Sequence, residues 1–461
     1  MTGVTQPAPV PQPRLDPTVP ECPYVGLVPF GEADAPYFFG RQRECEIIAA
    51  NLTASRLTLF YAASGVGKSS VLQAGVLPRL QQIAEESYAD FGVADAAVAY
   101  VREWSLAPLD TIATEVLRAV SRVPGAGPAE VPGTPQLSVP WLREVLQRSG
   151  VAEVYLVLDQ FEEYFLYHPD DRGADGLAST LGHILSTHDL PVNVLVSIRE
   201  DALAALDRFK GRVPRLYDNY LRLAHLGRHA AQEAIEGPLG HYNQVVPPDS
   251  AVTVEPELTA TLLDQVRTGH LVVASDGAAS GGVVSGGVAQ GREDIETPYL
   301  QLVLTRLWEA ERASGSSVLR RDTLDELGGA QTIVQTHLHT VMAGLSPEQA
   351  EVAAAVFHYL VTTSGSKIAL TAENLADWSG VPVSSVQELL QSLSSGRRSI
   401  LRPVPPPTGV VGPPRYEIFH DVMGAAVLDW RHQYLARRTQ AEASRKLVAE
   451  REKAVAEREK A

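Results

Sequence analysis

Eight residues, Ala62-Ala63-Ser64-Gly65-Val66-Gly67-Lys68-Ser69, have the types and spacing needed to hold a polyphosphate. Gly65 and Gly67 permit left-handed dihedrals, so the N–H groups of Ser64 to Ser69 can turn inward around a phosphate. A helix starting there adds its positive N-terminal end. Lys68 at this offset reaches the β- and γ-phosphates as a point charge, and the Ser69 hydroxyl meets Mg²⁺. The nucleotide-binding set expected from the loop is Ser64, Gly65, Val66, Gly67, Lys68, Ser69 and Ser70. Ala62 stands where the strict pattern has its first glycine, a position at which alanine is commonly accepted. A turn that merely joins strand to helix leaves Lys-Ser at the required offset unexplained.

Such a site needs an acidic residue at the end of a second apolar strand. Val154-Tyr155-Leu156-Val157-Leu158-Asp159 supplies it, with Asp159 holding Mg²⁺ through water alongside Ser69. In the following Gln160-Phe161-Glu162-Glu163, a carboxylate can orient or deprotonate an attacking water; Glu162 is the first choice and Glu163 the second. Either can instead cap or solvate a helix start. A third apolar run, Val192 to Ile198, ends in Arg199. If that strand lies between the other two, Arg199 stands near a γ-phosphate; the alternative is an ion pair with Glu200 or Asp201.

The elements around these residues read as a parallel sheet. Leu57 to Ala62 is a short buried-type strand, and Ser69 to Gln82 has helical spacing of apolar residues. Further strands are expected at Ala96 to Val101, Val154 to Leu158, Val192 to Ile198 and Tyr220 to Leu226. Between them, Trp141 to Arg148 and Leu177 to Ser186 have helical periodicity, and this alternation indicates helices covering both faces. After Ala230 the pattern turns helical: Ala230 to Glu236, Glu257 to Val266, Pro298 to Ala313 and Arg321 to Leu327. A flexible Gly/Ser-rich insertion interrupts it at 274–291. Helices at Pro347 to Val361, Thr371 to Ser379 and Val383 to Ser394 then precede two extended pieces, Ile400 to Val404 and Tyr416 to Phe419, around Pro405-Pro406-Pro407. Three helices and a β-hairpin suggest a winged helix.

The 461 residues divide on this reading into a Pro-rich disordered leader (1–22), a P-loop core (23–229), a helical domain (230–345), a winged-helix domain (346–434) and a charged helical tail (435–461). In the tail, Val448 to Ala454 repeats as Val455 to Ala461; a solvated linker or a coiled coil fits it. The 45% hydrophobic share is that of a globular chain, and no apolar run approaches the ~18 residues that span a bilayer. With no signal-peptide pattern and two cysteines, Cys22 and Cys45, the expected location is the cytoplasm. A formal net charge of −16 argues against a general nucleic-acid binder, although Arg397, Arg398 and Arg402 near the hairpin could meet phosphates.

Taken together, these residues resemble the STAND class of P-loop ATPases, relatives of AAA+ proteins, and most closely the bacterial novel-STAND family. Tyr24-Val25-Gly26-Leu27-Val28-Pro29-Phe30 with Tyr37-Phe38-Phe39-Gly40-Arg41-Gln42-Arg43-Glu44 is similar to its N-terminal signature. The resemblance implies that Val25, Gly26 and Arg41 belong to the adenine pocket. Asp159-Gln160-Phe161-Glu162-Glu163 and Ser197-Ile198-Arg199 are similar to the family's Walker B extension and sensor strand. Ile418-Phe419-His420-Asp421 resembles the Met-His-Asp motif of NB-ARC proteins, implying that His420 touches the β-phosphate of bound ADP. Gly237-Pro238 is similar to a Gly-x-Pro element whose proline, here Pro238, packs on adenine; a helix stop explains it equally well.

The resemblance implies a slow ATPase switch with ATP or ADP and Mg²⁺ as cofactors. It also implies a homo-oligomer in the ATP state, an unknown sensor or effector partner, and a place in bacterial defence or regulatory signalling. Two other readings stay open: an AAA+-like DNA-binding initiator or regulator that uses the winged helix, and an inactive nucleotide-binding scaffold.

Overall fold

A computed structural model describes residues 20–460, apart from 64, 94, 105–106, 129–134, 172, 174–175, 268–293, 362–367, 395–399, 405–412 and 419–421. Five strands, β1 (Leu57–Ala62), β2 (Ala96–Val101), β3 (Glu153–Leu158), β4 (Val192–Arg199) and β5 (Tyr220–Arg222), form one parallel sheet in the order β2-β3-β4-β1-β5. Their near-continuous Val, Leu and Ala content reflects burial on both faces. The pleat sorts alternate residues into two cores: Leu59, Leu156 and Val194 lie in one, and Phe60, Val157 and Leu195 in the other. Helices Pro108–Val120, Val139–Ser149 and Leu177–Ser186 close the first face. Gln42–Ala54 and the helix after β1 close the second. That latter helix is not uniform: Lys68–Ser70 is α, Val71–Val76 is π, and Leu77–Phe91 is α again.

Register fixes the functional edge. Ala62 pairs with Arg199 and Leu158 with Val196, so the carboxyl ends of β3, β4 and β1 lie side by side with β4 in the middle. In open α/β sheets, ligands sit in the crevice outside those ends.

A third core joins segments far apart in the chain. Tyr24, Leu27 and Phe30 pack with Ile235, Leu262, Leu304 and Trp308 from helices Arg228–Val245, Pro256–Gln265 and Thr297–Ala313. The Tyr24 hydroxyl donates to the Ile235 carbonyl at 2.8 Å, and Trp308 Nε1 donates to the Glu21 carbonyl at 2.9 Å. Residues 21–38 therefore belong with the helices more than with the sheet, and Cys22, placed in the leader from sequence, is buried here. The helix expected at Ala230 to Glu236 runs through Gly237 and Pro238 to Val245, so these two residues do not stop it. The expected strand Tyr220 to Leu226 shortens to β5, and Leu226 instead bridges Ile295. Two-residue strands β6 (Thr253–Val254) and β7 (Val318–Leu319) pair in parallel beside this core.

The fourth core gathers helices Pro347–Val356, Ala372–Ser379 and Val383–Ser394 with an antiparallel sheet of β8 (Leu370–Thr371), β9 (Leu401–Val404) and β10 (Arg415–Ile418), ordered β8-β10-β9. Ser346 and Gln349 form a reciprocal capping box that starts the first of these helices. The final helix, Val422–Lys460, begins well before the expected 435 because Met423, Val427 and Trp430, spaced i, i+4, i+7, fill this core. Helix Gly329–Ala343 serves two cores: Ala330, Ile333 and Val334 face the third, Leu338 and Met342 the fourth. The insertion 274–291, most of the leader, and Pro405-Pro406-Pro407 lie outside the described residues. Among the described residues no helix is long and apolar enough to cross a membrane.

Candidate functional site

The loop after β1 is shaped by Gly65 and Gly67, whose φ angles of 83° and 102° lie where a β-carbon is strained. Val71 N–H donates to the Gly67 carbonyl at 2.9 Å, which starts the helix beneath the loop. The buried Arg41 braces it from behind: Nη2 donates to the Val66 carbonyl at 3.3 Å and Nη1 pairs with Glu44 at 2.9 Å. Lys68 Nζ donates to the Ala62 carbonyl at 3.3 Å. Burial pulls the Lys68 ammonium below its ordinary value, with Glu162 and Asp159 opposing. Ser70 Oγ accepts from Phe30 N–H at 3.2 Å, tying the N-terminal segment to this helix.

Asp159 is 1% exposed, and both carboxylate oxygens accept hydrogen bonds: Oδ2 from Tyr100 at 2.8 Å and Oδ1 from Ser197 at 2.7 Å. Trp104 Nε1 donates to the Asp159 carbonyl at 2.8 Å. Gln160 then adopts a left-handed conformation, φ 53° and ψ 41°, which is uncommon outside glycine and turns the chain sharply into helix Phe161–Tyr167. That turn places Glu162 under β4, where its Oε2 accepts from Arg199 N–H at 3.1 Å. Burial pushes the Glu162 carboxyl up, against the pull of Lys68. Burial, reinforced by the Glu162 charge, pushes Glu163 up to about 8.

The Arg199 guanidinium grips Asp201 with two hydrogen bonds of 2.9 and 2.6 Å, which is the ion-pair alternative read from sequence. Burial pulls this guanidinium down, but Asp201 overrides it and the net shift is upward. Burial likewise pushes the Asp201 carboxyl up, and Arg199 overrides that to hold it below its ordinary value.

The phosphate loop, Gln160, Glu162, Glu163, Arg199 and Asp201 open onto one cavity of about 970 Å³, whereas Asp159 lies buried behind its lining. Gly65 to Val71 and Gln160, Glu162, Glu163 and Arg199 line one side; Gly26 to Phe30, Ala234, Pro298 and Gln301 line another. The hairpin forms a third wall through Arg402, Arg415 and Glu417. Arg402 Nε donates to Glu417 Oε1 at 2.6 Å, so Arg402 is held against the cavity wall by a largely buried carboxylate. Two residues expected in the adenine pocket are elsewhere. Val25 is buried beneath the lining, its N–H on Gln301 Oε1 at 3.3 Å, while its neighbour Gly26 reaches the cavity. Pro238 is buried inside helix Arg228–Val245 and does not line the cavity; Pro298, at the start of Thr297–Ala313, does. Gly237 is explained by packing, because a β-carbon there would come within 2.4 Å of the Phe39 ring. Ser64 and His420 lie outside the described residues, as do Arg397 and Arg398.

A family model described as Novel STAND NTPase 1 matches residues 23–454. This chain belongs to the Novel STAND NTPase 1 family. No curated protein matches it. Among solved structures, the novel STAND NTPase is similar to the Aeropyrum pernix ORC2 protein in its ADPNP-ADP complexes, at 13% identity and TM-score 0.42, covering 87% of this chain and 95% of that one. The Aeropyrum pernix ORC1 protein in complex with DNA is similar at 17% identity and TM-score 0.43, covering 92% and 100%. Drosophila ORC bound to DNA follows at 13% identity and TM-score 0.38, covering 93% and 96%.

As a P-loop NTPase, this family member has a donor set that suits nucleotide and metal. A loop bent by two left-handed glycines and a desolvated ammonium resting on a carbonyl suit a polyphosphate. The Ser69 hydroxyl and the Asp159 carboxylate are hard oxygen donors of the kind Mg²⁺ takes. Reading the sequence missed Tyr100 and Trp104 around Asp159, and Arg415 and Glu417 on the hairpin; it named Ser197 within the sensor strand and Arg402 as a candidate phosphate contact, but not the partners they take here. The strand pattern carried a signal for Tyr100, a polar group near the end of an apolar strand.

Proposed function

We propose that this STAND NTPase is a slow, nucleotide-operated switch. It binds Mg²⁺-ATP, hydrolyses it, and lets the nucleotide set whether the C-terminal hairpin stays on the cavity. The observation that carries the reading is the shared cavity, walled at once by the phosphate loop, the N-terminal and helical segments, and the hairpin. A ligand filling it contacts all three, so any change in its terminal phosphate alters contacts that hold them together.

The backbone from Ser64 to Ser69 and the Lys68 ammonium hold the phosphates, with Ser69 and Asp159 as the Mg²⁺ donors. When bound, Mg²⁺ neutralises charge on the β- and γ-oxygens. Glu162 takes the proton from the water that attacks the γ-phosphorus as the bond to the β-phosphate oxygen breaks. Glu162 is preferred to Glu163 because the Arg199 N–H anchors its carboxylate at the end of β4; burial pushes both carboxyls up. Arg199 leaves Asp201 to meet the terminal phosphate.

Residues 346–434 act as a winged-helix domain, and His420 meets the β-phosphate of ADP in the closed arrangement. Glu417, three residues earlier, already lines the cavity, which supports that placement. Arg402, engaged with Glu417 on this inner wall, speaks against a DNA-reading hairpin. The ATP state forms a homo-oligomer in the cytoplasm that relays a defence or regulatory signal to a sensor or effector partner.

The test is the nucleotide carried by the purified chain and its mass in solution with and without ATP. Bound ADP in a monomer that assembles on ATP addition is expected. Glu162→Gln should keep nucleotide and lose turnover by about 10²-fold or more, while Lys68→Ala should lose nucleotide. Equal, negligible hydrolysis in parent and both variants would instead mark an inactive scaffold.

A further inference from the structure

Tyr100 joins two parts of the site that the sequence leaves unconnected. Its hydroxyl donates to Asp159 Oδ2 at 2.8 Å, and its ring packs against the core of the helix below the phosphate loop. That helix is π-wound over Val71–Val76, starting two residues after Ser69. A π-segment re-aims side chains relative to an α-helix and is concentrated at functional sites. The pleat of β2 explains why Tyr100 reaches this helix. Ala99 and Val101 face the first core, whereas Tyr100 turns to the opposite face and packs against the core that contains Val71, Leu72 and Val76. Ser197 on β4 holds the other Asp159 oxygen from the opposite side at 2.7 Å.

We propose that Tyr100 is a positioning residue for metal binding: packed on the core of the helix that carries Ser69, and paired with Ser197, it fixes the Asp159 carboxylate relative to that helix. Ser69 and Asp159 stand on different elements, the loop after β1 and the end of β3, and β4 separates those strands. No hydrogen bond of the sheet therefore sets their spacing directly. The Tyr100 side chain does so, with its hydroxyl on Asp159 and its ring on the core of that helix, while Ser197 holds the second carboxylate oxygen. Partners of this kind, one step removed from the metal, orient the donating oxygens and tune affinity. The inference rests on the assignment of Asp159 and Ser69 to Mg²⁺.

The experiment measures affinity for a fluorescent ADP analogue in EDTA and across a Mg²⁺ titration, for the parent, Tyr100→Phe, Ser197→Ala and Asp159→Asn. Tyr100→Phe keeps the ring and removes only the hydroxyl. Its affinity in EDTA should match the parent, while the Mg²⁺ concentration for half-maximal enhancement rises about tenfold. Ser197→Ala should shift the same titration in the same direction by about threefold, and it serves if Tyr100→Phe fails to fold. Parent-like Mg²⁺ titrations in both variants, beside a shifted Asp159→Asn, overturn the inference and leave the assignment of Asp159 standing. A parent whose affinity ignores Mg²⁺ overturns both.

Discussion

Replacing Glu163 by glutamine should make the protein more stable at neutral pH, by an amount that grows as pH rises. The carboxyl has an ordinary value of 4.5 and titrates in the folded chain at about 8, chiefly because burial penalises its charge and secondarily because Glu162 repels it. A folded value raised above the unfolded one means that the native state holds a proton the unfolded chain releases. Stability is then full below the unfolded value and drains away as pH climbs from there through the folded value. For a shift of this size, the cost is ~1 kcal/mol at pH 5 and ~3 kcal/mol at pH 7. Glu163 keeps some contact with solvent, and screening there reduces the pH 7 figure to ~1.5 kcal/mol. Glutamine keeps the shape and carries no titration. Urea unfolding at intervals from pH 5 to pH 8, without nucleotide, should show parent and variant converging at the acid end and separating towards pH 8. A gap that stays constant across that range refutes the argument, since a constant offset reflects packing and not proton linkage.

Other perturbations separate effects that coincide in the native chain. Gly40 has φ +82° and a β-carbon there would lie 2.1 Å from the Ala230 carbonyl oxygen, whereas at Gly150, φ +71°, nothing lies within 4 Å. Gly150→Ala should therefore cost ~1 kcal/mol in thermal unfolding and Gly40→Ala more than ~3 kcal/mol; equal losses would mean that the close approach is unimportant. Gln160→Gly should stabilise the chain by ~0.5 kcal/mol by relieving its left-handed backbone, and Gln160→Val should destabilise it by ~2 kcal/mol, both read by denaturant midpoints. Arg402→Met, which retains an aliphatic stem but not the charge opposite Glu417, should cost ~2 kcal/mol and should be partly rescued by Glu417→Gln in a double-mutant cycle.

What the sequence disclosed follows the range of the interactions. The phosphate loop and Asp159 are local patterns, each written in fewer than ten consecutive residues, and the strands that carry them are continuous apolar runs. Their adjacency in the sheet needed only β4 between the other two. The surroundings of Asp159 were hidden because Tyr100 and Ser197 come from two other strands, and register decides which of their alternating residues meet it. The destination of residues 21–38 was hidden for a related reason: Tyr24 is joined to Ile235 and Val25 to Gln301 across 211 and 276 positions. Pro238 looked like a ligand contact because Gly237 precedes it, yet that glycine answers to the Phe39 ring, and Pro298 occupies the cavity wall. The start of the last helix, expected at 435, was missed although Met423, Val427 and Trp430 carry helical spacing, because the charged repeat stands out as the element's signature.

Helix Gly329–Ala343 anchors one core with its first half and another with its second, so it is a rigid beam clamped at both ends. Fifteen residues make a beam ~22 Å long, and a tilt of ~10° about its first turn moves its last turn by ~4 Å. That travel exceeds the reach of a hydrogen bond, while the tilt itself needs only a small adjustment among the side chains at the base. Mechanical gain is thus built into the junction: a rearrangement too slight to notice in the third core can, at the hairpin end, amount to a contact made or broken.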